Sequence, residues 1–144
     1  MKLVKYYMKK QAKEWIKFAK TDLQATIALI TEENLSTVAA FHTQQCVEKS
    51  LKAVLELYNK KVPRTHDLIK LLQKIEEEKI NINMKINEEV LDQISQVYID
   101  TRYPADFGLL PEGKPSINKV KEFLDEAESI FNQTVQLIEK YQEK

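Results

Sequence analysis

Residues 41–58 read FHTQQCVEKSLKAVLELY, and this stretch decides the fold. Placed at ~100° per residue, Ala40, Val47, Leu51, Val54, Leu55 and Tyr58 fall on one broad apolar arc. No glycine, proline or strict alternation interrupts the run. The pattern is that of an amphipathic helix. Gln44 lies inside the arc. An amide buried without partners costs about 1–3 kcal/mol, so Gln44 is either a core glutamine bonded to a neighbouring element or a pocket residue. The other side of the helix holds Phe41, His42, Gln45, Glu48, Lys49 and Lys52. Those residues read as a solvated face with ordinary charge pairs, except that Phe41 suggests a contact.

The same spacing continues outward. A first helix is expected from about Lys10 to Thr31, with Ala12, Ile16, Ala19, Leu23, Ile27 and Ile30 as its stripe. Asn34 or Ser36 can cap the second helix. Thr65 can cap a short third one carrying Leu68, Leu71, Leu72 and Ile75. Asn87 can cap a fourth, with Leu91, Ile94 and Tyr98 inward. Ser116 can start a fifth along Ile117, Val120, Leu124, Ala127, Phe131 and Ile138. Both glycines and three of the four prolines fall between Pro104 and Pro115, inside the loop YPADFGLLPEGKPS. Pro63 marks a shorter turn. The expected fold is all-α: an antiparallel four-helix bundle with one additional short helix, forming a single domain over residues 1–144.

The 144 residues balance 22 basic against 22 acidic side chains. Zero net charge argues against strong non-specific nucleic-acid binding by the chain as a whole, though not against a local patch. Only Arg64 and Arg102 are arginines, and arginine is the bidentate reader of phosphate. No 18-residue apolar run occurs. The start, MKLVKYYMKKQAKEW, lacks the apolar region of a signal peptide, and Cys46 is the only cysteine. Together these lead to an expectation of a cytoplasmic protein without membrane association. One cysteine and two separated histidines make no zinc pattern, and neither a P-loop nor G-x-G-x-x-G is present. No metal or cofactor is expected.

The string from Phe41 to Leu72 resembles the HEPN family (higher eukaryotes and prokaryotes nucleotide-binding). The matching residues are Gln44, Gln45, Glu48, Lys49, Leu51, Lys52 and Ala53 on the helix. Pro63 follows in the turn, and Thr65, His66, Asp67 and Leu68 open the next helix. An earlier A-x-x-D-L-x-x-A appears as Ala19, Asp22, Leu23 and, one place early, Ala25. A later Y-I-x-x-R-Y-P appears as Tyr98, Ile99, Arg102, Tyr103 and Pro104.

The resemblance implies a helical bundle, commonly a homodimer. Such proteins are often encoded with a minimal nucleotidyltransferase as a toxin–antitoxin pair. Many of the toxins are metal-independent ribonucleases whose activity is tied to an Arg followed four to six residues later by a His. Here Arg64 precedes His66 with one residue between, and no histidine follows Arg102. The resemblance therefore implies a partner protein that binds a nucleotide or RNA phosphate rather than an enzyme. The candidate ligand-binding residues are Gln44, Lys49, Lys52, His66, Asp67, Tyr98, Arg102 and Tyr103. The start of the third helix is a candidate anion site through its backbone N–H groups. A divergent ribonuclease using His66 and Arg102, or a plain helical interaction module, are the alternatives.

Overall fold

The computed structural model describes residues 2–102 and 114–141, and among these the chain forms five α-helices and no strand. They are α1 (Lys2–Leu29), α2 (Ser36–Leu57), α3 (Leu68–Glu77), α4 (Glu88–Arg102) and α5 (Ile117–Lys140), with one 3-10 turn at Glu33–Leu35. The expected long loop lies almost wholly outside the described residues.

Two of the expected caps are present. Asn87 Oδ1 accepts from Val90 N at 3.2 Å, and Ser116 Oγ accepts from Lys119 N at 3.1 Å. Two expectations are corrected. The residue before α2 is Leu35 and makes no side-chain cap, while Ser36 Oγ is buried without a partner. Asp67, not Thr65, caps α3, because its carboxylate reaches both Ile69 N and Lys70 N. Thr65 instead accepts from Asp67 N.

Contacts at the helix ends fix the directions. Thr26 near the end of α1 donates to Ala39 O near the start of α2, and Ala12 clusters with Ala53 and Leu57. Hence α1 and α2 are antiparallel. Lys119 Nζ donates to Gln93 and Glu126 accepts from Asn87 N, so α4 and α5 are antiparallel. Ile138 of α5 joins the Ala12 cluster. The core is continuous from Ala19 and Leu23 through Val47, Leu51 and Leu55 to Leu91, Ile94, Phe123 and Ile130. α2 and α5 pack at the centre, with α1 on one side and α4 with α3 on the other.

The buried stripe of α1 differs from the expected one. Ile27 is 50% exposed, while Thr26 is fully buried. Thr26 Oγ1 shares its one proton between Asp22 O and Ala39 O, so its hydroxyl is satisfied.

The end of α2 positions the site. Asn59 adopts φ 56°, a left-handed conformation that asparagine tolerates. Lys60 N returns to Leu55 O and Asn59 N to Glu56 O, closing the helix in a Schellman turn. Pro63 then favours an extended backbone at the residue before it. The chain runs back along α2 by about 20 Å, the rise of the 13 residues from Gln44 to Leu57. This return brings His66 beside the middle of α2.

Candidate functional site

Gln44, Glu48 and Lys52 stand one helical turn apart on α2, and all three are buried. This corrects the expected solvated face, on which Glu48 and Lys52 had been placed. Glu48 Oε2 accepts from Lys52 Nζ at 2.9 Å, and the two side chains are 6% and 9% exposed. Glu48 Oε1 lies 2.9 Å from His66 Nδ1 and accepts from Gln44 Nε2 at 3.1 Å. Gln44 Nε2 also donates to His66 O at 2.9 Å, and Gln44 Oε1 accepts from Gln45 at 2.6 Å. Gln44 is therefore a satisfied core amide that also grips the backbone of His66. This is the core reading of Gln44; its side chain does not line the neighbouring cleft.

The ionised carboxylate of Glu48 can only accept, so Nδ1 of His66 carries the proton. The other nitrogen, Nε2, is then left for a ligand. The His66 side chain is 48% exposed. Its ring stacks on Tyr98 at 4.1 Å and 15°. Tyr98 in turn stacks on Phe41 at 6.2 Å. Phe41, which had suggested an external contact, is thus used inside the chain, in a column of three rings.

A cleft of about 290 Å³ opens on this column, lined by Arg64, Thr65, His66, Asp67, Ser95, Gln96 and Tyr98. The backbone N–H groups at the start of α3 are not available to an anion there. Leu68 N donates to Ser95 Oγ, Ile69 N and Lys70 N to Asp67, and Leu71 N to Asp67 O. This corrects the anion site expected at that terminus. Asp67 is spent on its own helix.

Lys49 stands apart from the cleft. Its Nζ lies 2.6 Å from Asp22 Oδ2, and His42 Nδ1 lies 2.8 Å from Asp22 Oδ1. Lys52 Nζ sits 5.8 Å from the centre of the Trp15 ring, so it joins the cleft only through Glu48. Arg102 closes α4, but its side chain and Tyr103 lie outside the described residues. Of the candidates, the structure brings Gln44, His66, Asp67 and Tyr98 together, with Lys52 behind them. Arg64, Ser95 and Gln96 were not among them. Only Arg64, as one of two arginines, carried a signal in the sequence.

Cys46 is no nucleophile. Burial, reinforced by the negative charge of Asp22, pushes its thiol up to about 12. Among the described residues no group of three or more His, Cys, Asp or Glu could hold a metal ion. No helix among them is long and apolar enough to cross a membrane.

A fully helical bundle with a histidine clamped between α2 and α4 defines the class, and comparison supplies the family. The family model described as the HEPN domain matches residues 12–140, and the chain belongs to that family. Two solved structures share the fold. One is TT1696 from Thermus thermophilus, at 23% identity and a TM-score of 0.68, covering 88% of this chain and 97% of that one. The other is ST0689, an archaeal HEPN homologue, at 22% identity and a TM-score of 0.64, with the same two coverages. No curated protein matches the sequence.

Proposed function

We propose that this HEPN protein binds a nucleotide or RNA phosphate in the cleft around His66. In this reading it acts as a homodimer and as the partner of a minimal nucleotidyltransferase, in a toxin–antitoxin-like pair in the cytoplasm. One observation carries the ligand reading: buried Glu48 fixes the half-exposed His66 ring through Nδ1 as part of the cleft lining. Lys52 already neutralises Glu48, so the buried carboxylate does not repel an anion. His66, when protonated, and exposed Arg64 are then the cations facing it. Arg102, four positions after Tyr98, is a further phosphate contact in this proposal. Family membership supports the homodimer and the nucleotidyltransferase partner.

The test is a calorimetric titration with AMP, ATP and a 12-nucleotide oligouridylate. A hydrogen bond to a charged group is worth about 1.5–3 kcal/mol. His66→Ala or Arg64→Ala should therefore weaken binding by roughly ten-fold or more. Equal affinity in wild type, His66→Ala, Arg64→Ala and Arg102→Ala would refute the cleft. A strictly monomeric mass at tens of micromolar, on the order of a typical weak dimer constant, would refute the homodimer.

A second reading has one observation in its favour. A carboxylate that orients one histidine nitrogen and leaves the other outward is also the arrangement of a general base. On that reading His66 and Arg102 serve a divergent ribonuclease. Cleavage of RNA without added metal, abolished in His66→Ala, would replace the binding reading with this one.

A further inference from the structure

The chain is neutral overall, yet its charges are segregated. Residues 2–20 hold seven lysines and one acid, Glu14. The rest of the molecule therefore carries a matching negative excess. Along α1, Lys10, Lys13, Lys17 and Lys20 are exposed and follow one another three or four positions apart. Lys17 is paired with the acid, at 3.2 Å and on the surface. At 1.5 Å per residue these lysines form a ridge ~15 Å long. Its upper end is a hollow of about 110 Å³ lined by exposed Tyr6 with Lys9, Lys10 and Lys13.

We propose that this ridge is a track for the backbone of a single-stranded nucleic acid, with Tyr6 as a stacking platform for a base. It is a surface separate from the His66 cleft and does not rest on that reading, since α2 and α5 stand between α1 and α4. Charge complementarity supplies the first argument. A stacked strand rises ~3.4 Å per nucleotide, so the ridge spans about four phosphates. Lysines act on phosphate as point charges and carry no base code, so the binding is indifferent to sequence. The tyrosine supplies the second argument, because ring–base stacking is the sequence-tolerant partner of such a groove.

The geometry favours this occupant over an anionic membrane. A helix lying in a bilayer surface sets its cations around its exposed apolar face. Of the exposed apolar residues of α1, Tyr6 lies on the lysine ridge and Ile27 stands roughly 60° from it, while Leu3, Val4, Tyr7 and Phe18 are centred roughly 110° around the helix from it. The seam with α2 occupies their other flank.

The test is fluorescence anisotropy of the full chain with a labelled 12-nucleotide oligouridylate from 50 to 200 mM salt. Four phosphate contacts on a single strand give a slope near −3 in log K against log salt, about a 50-fold loss over that range. Lys13→Gln with Lys20→Gln removes two contacts and should halve the slope, leaving about a seven-fold loss. Tyr6→Ala should weaken binding by roughly five-fold or more without changing the slope. The lysine pair should leave AMP binding unchanged, so failure of the ridge and failure of the cleft are separable. An unaltered slope in the double lysine variant overturns the proposal. So does binding to phosphatidylserine–phosphatidylcholine vesicles with none to the oligonucleotide.

Discussion

Replacing Glu48 by Gln keeps the shape of the side chain and removes its charge. Lys52 then stays in place, 9% exposed, with no counter-charge. The introduced amide also has one acceptor oxygen for the three donors that Glu48 serves, Lys52, Gln44 and His66. Removing one partner of a buried ion pair costs about 3–5 kcal/mol, chiefly because the other charge is stranded. A domain of this kind has about 5–15 kcal/mol in all, so the variant should fold but melt early. At about 2–4 °C per kcal/mol, the expected drop in Tm is ~6–20 °C. Far-UV circular dichroism in thermal and urea melts reads it, and the urea m-value should stay constant. Lys52→Met supplies the second arm of a cycle. The double variant removes both charges, so its cost should fall short of the sum of the singles by about 1 kcal/mol or more. A Glu48→Gln protein within ~1 kcal/mol of wild type, or strict additivity, would mean that the pair is not the buried, coupled unit described.

Asp67→Ala removes the cap of α3 and should cost about 0.5–2 kcal/mol, read in the same melts; an unshifted Tm would leave the cap without weight. Cys46 should resist a thiol-exchange reagent at pH 8 in the folded protein and react once per chain after unfolding, and rapid native labelling would contradict its burial. Its thiol keeps its proton up to about 12, against the ordinary 9.0 of the unfolded chain. The unfolded state therefore binds fewer protons between those values, and stability should fall as pH rises through that window; a urea midpoint unchanged between pH 8 and pH 10 would count against this.

The helices were legible because their apolar stripes repeat at three and four, and because breakers are confined to two places. What the wheel missed has one physical cause. It treats each helix as having a single inside, whereas a helix at the centre of a bundle is covered on several sides. α2 touches α1, α3, α4 and α5, so the stripe of Gln44, Glu48 and Lys52 is buried although it reads as polar. Thr26 was passed over in the same way, since its hydroxyl is satisfied by backbone carbonyls invisible in sequence. The cap at Asp67 was misplaced by two residues because Thr65 is equally capable by type. For the site, residue types singled out His66 and Tyr98 one at a time. Their stacking depends on the backward run of residues 58–66, whose path no periodicity encodes. Glu48 as the partner of His66 was likewise unreadable, since the same residue forms an ordinary pair with Lys52 four positions on.

Lys52 faces in two directions. Its ammonium bonds to the carboxylate that holds His66 and also lies 5.8 Å from the indole of Trp15. Trp15 is the only tryptophan in the chain. The molecule thus contains an unlabelled fluorophore wired to the floor of the cleft, with a positive charge beside the emitting ring. Protonation, displacement or replacement of His66 must alter what Glu48 asks of Lys52, and emission wavelength and quenching follow the position of that charge. The binding proposed for the cleft can therefore be tested by the intrinsic light of the protein, with no probe attached to the surface being studied.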